Sequence, residues 1–386
     1  MRIAHIIDSL DPSQGGLPVA SVSLAAAQAA LGHDVTVVSN EFSDSNLHLN
    51  RLLCDVQGSD RLTVTLILQK NYFDKLFSIS AKRYFAKNMH RWDILHLHGL
   101  WRPILWAAAK GALEQNIKWC LAPHGMLHPW ALQQKRWKKR LAWELGWRRL
   151  IRRTAFLHLL NIEEKAYVQR LLLDCPIEII PNGFSPEQTD CSTNNLVFPT
   201  EVANWMDHPY ILFMGRLHYV KGLDYLSDAF AIVAQRNPEI NLVVAGPDAG
   251  MLQRFRAHVC RLGISERVHV VGLLFGPNKY AAIRNAICLC HPSRQEGFSM
   301  TIIEALASGV PVVISKDCHF PEVEELGAGR VVELSAMSIA NALLQIVNNS
   351  ELRKMAGQKA KQLALSKYTW PKIAERSIDV YQRVTT

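Results

Sequence analysis

The chain reads as an α/β protein made of two doubly wound domains in tandem. Three observations lead there. Short β-branched apolar runs alternate with helical stretches along its 386 residues. The alternation halts after Asn182-Gly183 and restarts at Tyr210. Most of the runs are continuously apolar, the pattern of parallel strands covered by helices on both faces. The length also suits two domains better than one.

In the first half, strands are expected at residues 3–7, 35–38, 64–68, 94–97, 119–122, 156–159 and 177–180, with helices such as 19–31 and 104–115 between them. Residues 184–209 are polar, with Pro, Ser, Thr, Asn and Asp, and read as a linker. In the second half, strands are expected at 210–214, 241–245, 268–271, 287–291, 310–314 and 330–332, with helices at 222–235, 301–308 and 336–347. Two further helices finish the chain, divided near Trp370-Pro371. The expected domains are 1–190 and 205–369. Two such sheets imply a cleft, with ligands at the carboxyl ends of the strands.

Composition narrows the class. A chain that is 49% hydrophobic and 20% charged forms large cores and is not disordered. No apolar run reaches the roughly 18 residues of a membrane span. Met1-Arg2-Ile3-Ala4-His5-Ile6-Ile7 reads as a strand, not a secretory leader, so a cytoplasmic location is expected. The eight cysteines form no C-x-x-C pair and read as buried free thiols of a reducing compartment.

The formal charge is +9, and its location matters more than its size. Lys135, Arg136, Lys138, Lys139, Arg140, Arg148, Arg149, Arg152 and Arg153 face only Glu144, so one segment holds nearly all of it. Wound as a helix, Trp137, Leu141, Trp143, Leu145, Trp147, Leu150 and Ile151 span a broad apolar arc. Lys135, Lys138, Lys139, Arg149 and Arg153 fall opposite, and the other four arginines fall within the arc. Snorkelling cations and tryptophans suit an anionic membrane surface, the occupant expected for segment 135–153. A core-packed helix, or a clamp for the phosphates of a lipid-linked acceptor, are the alternatives. No nucleic-acid motif accompanies the patch, so no nucleic acid is expected.

The motif richest in chemistry is Pro292-Ser293-Arg294-Gln295-Glu296-Gly297-Phe298-Ser299-Met300-Thr301-Ile302-Ile303-Glu304, followed by Ala305-Leu306-Ala307-Ser308-Gly309-Val310-Pro311-Val312-Val313. A strand ends, a glycine-containing loop follows, and a helix opens near Ser299, where free backbone N–H groups favour a phosphate. Glu304, one turn inside, can accept from a ribose; Glu296 can reach a sugar hydroxyl. Such carboxylates taken alone are usually just solvated. The second motif is Gly215-Arg216-Leu217-His218-Tyr219-Val220-Lys221-Gly222, after the first strand of the second domain. Arg216 and Lys221 there match a diphosphate, or are two solvated surface cations. Gly246 and Gly272 each follow a strand and either flank a nucleotide base or simply turn the chain.

In the first half, Gln14-Gly15-Gly16-Leu17 lies between strand and helix, where backbone amides approach a phosphate or sugar, or where the chain merely turns. It is not the dinucleotide G-x-G-x-x-G, which argues against a nicotinamide enzyme. His96, His98 and His124 sit at strand ends. No nearby carboxylate or Cys cluster completes a ligand set and no Asp-x-Asp occurs, so no metal is expected, and neutral histidines bonding a sugar hydroxyl or a carbonyl fit better.

These residues resemble the retaining glycosyltransferases of family 4, which have the GT-B fold of two Rossmann-like domains. The resemblance covers essentially the whole chain and is most specific from Glu296 to Val313, with Gly215-Arg216, Lys221-Gly222, Pro181-Asn182-Gly183 and Gly15-Gly16 in the family's order. It implies that Arg216 and Lys221 neutralise the donor diphosphate and that Glu304 binds the ribose. Glu296 would contact the transferred sugar with the amides of Gly297, Phe298 and Ser299, His124 would stand beside that sugar, and Gly16 would touch phosphates or acceptor. Ser299 stands where many members carry Gly. Residues 370–386 would cross back onto the first domain, and neither metal nor cofactor would be needed beyond a nucleotide-diphosphate sugar. Ala122-Pro123-His124-Gly125-Met126-Leu127 with Trp130 and the basic run is similar to bacterial enzymes of exopolysaccharide or lipopolysaccharide assembly. That implies a glycan or lipid-linked acceptor at the inner face of the plasma membrane. The other readings are a GT-B nucleotide-sugar epimerase and a catalytically silent membrane-associated homologue.

Overall fold

The computed structural model describes all residues except 12–15, 42–48, 51, 55 and 190–204, and only the backbone at 188 and 189. Gln14, Gly15 and Cys191 therefore lie outside the described residues. The chain divides into two compact units, one of Met1–Gly183 with Trp370–Thr386 and one of Phe184–Thr369.

In the first unit, β1 (Arg2–Ile7), β2 (Asp34–Asn40), β3 (Thr63–Ile67), β4 (Ile94–His98), β5 (Lys118–Ala122), β6 (Phe156–Leu159) and β7 (Ile177–Ile179) form one sheet. Its order is β3-β2-β1-β4-β5-β6-β7, parallel throughout. β4 is buried along its whole length, as a central strand covered on both faces must be. Ile6, Leu95, Leu97, Leu121 and Leu157 have no exposed surface, and each such side chain contributes about 1.5–3 kcal/mol through burial. β1 pairs with both β2 and β4, so the winding direction reverses between β1 and β4. In such sheets the crevice that takes ligands opens at that reversal.

The second unit repeats the plan with β8 (Tyr210–Met214), β9 (Asn241–Ala245), β10 (Val268–Gly272), β11 (Cys288–His291), β12 (Val312–Ser315) and β13 (Gly329–Val332). The order is β10-β9-β8-β11-β12-β13, again parallel, with the reversal between β8 and β11. One face packs Leu212, Val243 and Leu289 on Ile303 and Leu306; the other packs Ile211, Phe213 and Leu242 on Phe230 and Leu343.

Two expectations need correction. The stretch 184–209 is not a bare linker. Phe184 and Trp205 are each 2% exposed and belong to the second unit's core, so that unit begins at Phe184 and not near 205. Polarity of the intervening residues hid these two anchors. The basic segment is not one continuous helix. It comprises helix Arg136–Ala142, a π-turn Trp143–Trp147 in which Gly146 leaves helical geometry at φ +155°, and Arg148–Ile151, and a separate short helix Pro129–Gln133 precedes it. The break rotates the apolar arc apart. Trp147, Leu150 and Ile151 enter the core with Trp143 packed against it, while Trp137, Leu141 and Leu145 stand 68%, 52% and 72% exposed.

The C-terminal helix Trp370–Thr385 belongs to the first unit and packs on the helix Gly16–Ala30. Its buried face runs Trp370, Ile373, Ala374, Ser377, Ile378 and Tyr381, the i, i+3, i+4 spacing of an amphipathic helix. The described cysteines are free; Cys120, Cys288, Cys290 and Cys318 are buried, while Cys54 and Cys260 are exposed.

Candidate functional site

The second sheet presents its glycines together at the carboxyl ends of β8, β9 and β10. Gly215 N–H donates to Ala245 O at 2.9 Å and Gly246 N–H to Gly272 O at 2.6 Å. Gly246 has φ +143°, and a Cβ there would lie 1.9 Å from Gly215 O. Gly222 has φ +67°, and a Cβ there would lie 1.9 Å from Pro292 O. Only glycine permits these approaches. The first seats the loop after β9 against the end of β8, and the second presses the loop after β8 against the loop after β11, on the two sides of the reversal point.

Across that junction Glu296 is the hub. Its Oε1 pairs with the Lys221 ammonium, accepts from His291 Nε2 at 2.7 Å and from Ser293 Oγ at 3.2 Å. Its own N–H donates to Asp317 O at 3.0 Å, which fixes the loop. Burial pushes the Glu296 carboxyl up, but the Lys221 charge and the His291 hydrogen bond outweigh it and hold the group well below the usual carboxylate range. Burial lowers the His291 pKa, and Glu296 pulls it partly back, so His291 serves as a neutral Nε2–H donor. Its ring stacks on Phe213 at 5.6 Å, and among the described residues its Nδ1 has no partner.

The helix Met300–Ala307 starts after Ser299, which is buried in extended geometry at φ −86°. Gly297 is half-buried beside it. Phe298 is wedged against Phe320 and Tyr368 with ring centroids 4.7 and 5.8 Å away, so its side chain anchors the loop. Glu304, 7% exposed, accepts from Lys279 Nζ at 2.7 Å. Arg216 is exposed at the end of β8. Arg294 grips Asp224 with both amino groups, at 2.9 and 2.5 Å, and lies over Tyr219 and Tyr225, which ties the β11 loop to the first turn of the helix after Gly222. A groove of about 610 Å³ lined by Pro209, Ile287 and Pro311 opens at the amino ends of β8, β11 and β12, the opposite edge from these groups.

Sequence reasoning thus placed Gly215, Lys221, Gly246, Gly272 and Glu296 in one cluster, with Arg216 at its rim and Glu304 on the adjoining helix. It missed His291, Ser293 and Lys279. The one available signal for His291 was a polar residue ending an otherwise apolar strand; Lys279, mid-helix and half-exposed, offered none.

In the first unit, Gly16 opens the helix Gly16–Ala30 and is exposed. His124 follows β5 with φ +49° and contacts His98, 3.1 Å from Nε2 to Nδ1. His96 and His98 do not stand alone. His5 of β1 is in register with His96 of β4, and His5, His96 and His98 bring potential ligand atoms within 4.8 Å of one another. Every nitrogen of these three rings already has a hydrogen-bonding partner: His5 bonds Gln28 and His98, His98 also bonds His124, and His96 bonds His158 and Tyr381. Burial lowers all five histidines, His5 and His158 to about 4 and His124 to about 3, so each is neutral at neutral pH.

The family model for glycosyl transferases group 1 matches residues 200–363, and that for a glycosyl transferase 4-like domain matches residues 15–183. An uncharacterized glycosyltransferase of Methanocaldococcus jannaschii is 28% identical over 53% of this chain and 54% of its own length. Phosphatidyl-myo-inositol mannosyltransferase of Mycobacterium tuberculosis is 30% identical over 45% of this chain and 47% of its own. The matches thus span about half the length of these curated relatives. Among solved structures, Anabaena HepE in complex with UDP and glucose superposes with a TM-score of 0.78 at 18% identity, over 99% of this chain and 100% of that one. Two doubly wound parallel sheets, the glycine-lined Lys221–Glu296 cluster at the reversal of the second, and two family models that between them span most of the sequence together place this chain among the GT-B glycosyltransferases of the family 4 type.

Proposed function

We propose that the chain is a retaining transferase that moves a sugar from a nucleotide-diphosphate sugar to a glycan or lipid-linked glycan acceptor, in assembly of a cell-surface polysaccharide. The observation that carries this reading is the cluster of Lys221, His291 and Glu296 beside Gly215, supported by a relative in structure that binds UDP and glucose. Arg216 and Lys221 meet the charge that grows on the leaving diphosphate, and so act on the transition state more than on the ground state. Glu296 and the amides after it hold the sugar, Glu304 holds the ribose, and His124 bonds a sugar hydroxyl. The departing phosphate takes the acceptor proton in a front-side attack, which asks the protein for positioning and charge stabilisation and for no carboxylate nucleophile. Incubation with a panel of nucleotide sugars tests the donor reading. One of them is expected to raise the melting temperature in proportion to the logarithm of its concentration. No shift with any of them rejects it. The anomeric configuration of the product, read by NMR, tests retention.

The reaction needs no metal in this reading, since the cations that face the diphosphate are supplied by side chains. Activity is expected to survive EDTA. Loss on chelation, restored by a divalent ion, overturns that expectation.

The enzyme acts in the cytoplasm at an anionic membrane surface. Trp137, Leu141 and Leu145 are exposed at four-residue spacing, and Lys135, Arg136, Lys138 and Arg140 are exposed around them. Among the described residues no helix is long and apolar enough to cross a membrane. Each exposed cation near an anionic leaflet adds about 1 kcal/mol. Wild type is expected to sediment with anionic vesicles and to leave them at high salt. Changing Lys135, Arg136, Lys138, Lys139 and Arg140 to Gln should remove most of that binding and leave the melting temperature near wild type. Wild type that ignores such vesicles at low salt disproves membrane docking.

A further inference from the structure

The buried histidines of the first sheet form one hydrogen-bonded chain, and its polarity can be read from one end. Ile180 O can only accept, so His158 Nε2, 2.6 Å away, donates to it. A neutral imidazole carries a single N–H, so the other nitrogen accepts. His158 Nδ1 therefore accepts from His96 Nε2 at 3.1 Å, and His96 Nδ1 accepts from the Tyr381 hydroxyl at 2.6 Å. With its one proton committed, Tyr381 can only accept from Gln28 Nε2 at 3.3 Å. Ser377 agrees: its hydroxyl donates to Ala374 O at 2.7 Å and so accepts from Gln28 Nε2 at 2.8 Å. Gln28 must then turn its oxygen to His5, whose Nε2 donates to it at 2.7 Å. His5 Nδ1 accepts from His98 Nε2 at 2.8 Å, and His98 Nδ1 accepts from His124 Nε2 at 3.1 Å. One assignment satisfies every contact, and it puts the proton of all five rings on Nε2. His124 is the last ring; its Nε2 is the nitrogen bonded to His98, and among the described residues its Nδ1 makes no hydrogen bond.

We infer that Gln28, Ser377 and Tyr381 are positioning residues for His124: they fix it as the Nε2–H tautomer, so that its Nδ1 accepts a hydrogen bond from a hydroxyl of the bound sugar. The inference rests on the reading that His124 meets that sugar. A lone pair there welcomes a hydroxyl and repels a phosphate or carbonyl oxygen, so the ring discriminates between parts of the donor by polarity. Two of the three residues that set it, Ser377 and Tyr381, stand one turn apart on the C-terminal helix. The last segment of the sequence thus controls a ring on the loop after β5. Burial, which keeps all five rings neutral, preserves the single-proton logic. A metal on His5, His96 and His98 is the competing use of the cluster. The 2.8 Å between His5 and His98 is a shared-proton distance, shorter than the about 3.3 Å that separates two nitrogens on one tetrahedral zinc.

Long-range 1H–15N correlation spectra of the uniformly 15N-labelled full chain, recorded without substrate, distinguish the two tautomers. All five buried rings are expected as Nε2–H. Gln28→Met removes the acceptor of His5, so His5, His98 and His124 should lose their single tautomer, while His96 and His158, anchored on Ile180, keep theirs. Gln28→Glu still offers His5 an acceptor and should keep His124 as in wild type. Wild-type His124 as Nδ1–H, an unchanged His124 in Gln28→Met, or stoichiometric metal on the three rings of the purified protein would each overturn the inference. The wild-type spectrum decides even where Gln28→Met fails to fold. No substrate is present, so this result is separate from the transferase reading, which fails on its own if no nucleotide sugar raises the melting temperature.

Discussion

Lys221→Ala and Arg216→Ala are each expected to lower kcat/KM by about 2–4 kcal/mol, roughly 30- to 900-fold, the scale of removing one charge partner of a transition state. The two variants should differ in stability, and the difference follows from their surroundings. Arg216 is exposed, so its loss should leave stability within about 0.5 kcal/mol of wild type. The Lys221 and Glu296 side chains are only 15% and 11% exposed. Removing Lys221 leaves a buried carboxylate without its cation, with His291 and Ser293 as partial compensation, and is expected to cost about 3 kcal/mol. Lys221→Met with Glu296→Gln removes both charges and should recover most of that stability while remaining inactive. Near wild-type turnover in both single variants would remove the diphosphate assignment. The same pair sets a pH dependence. The folded Glu296 carboxyl lies below its ordinary value of 4.5, so its contribution is present above that pH and is lost as pH falls toward the folded value. Melting temperatures of Glu296→Gln should fall less steeply than those of wild type below pH 4.5. Parallel curves refute the linkage.

Glu304→Gln is expected to weaken intact donor and free nucleoside diphosphate alike, by about 1.5–3 kcal/mol, the worth of a hydrogen bond to a charged group. Glu296→Gln should spare the free nucleotide and injure only the intact donor, because the sugar is what Glu296 would touch. Calorimetry of each variant with both ligands separates the roles. Equal losses for both ligands in both variants refute the division. Lys279→Met is the useful companion. It removes the partner 2.7 Å from Glu304, and an equal loss for intact donor and free nucleoside diphosphate, as in Glu304→Gln, would show that Lys279 aims this carboxylate.

The architecture was legible because parallel strands buried on both faces are apolar runs, and such runs are visible without knowledge of their neighbours. β6, β8 and β9 fall at the expected residues. Glu296, Lys221 and the glycines were legible because they fall in two short motifs whose residue types and spacing are local properties of the chain. The basic segment was half legible: its charge is local to the sequence, but which tryptophans turn inward depended on Gly146 leaving helical geometry.

What only the tertiary structure decided is pairing over long separations. Glu296 meets Lys221 across 75 residues, and Tyr381 meets His96 across 285. No local pattern encodes such contacts, since they arise where the sheet order folds distant strand ends and the C-terminal helix onto one another. His96 and His98 alone suggested two neutral hydrogen-bonding rings. The register of β1 on β4 added His5, the C-terminal helix added Ser377 and Tyr381, and the carbonyl of Ile180 gave the assembly one direction. The sequence determined which residue types were available for chemistry, because composition and spacing are properties of the chain; the fold decided which of their ring nitrogens carry the protons, because a hydrogen bond's polarity is settled by the groups at both of its ends.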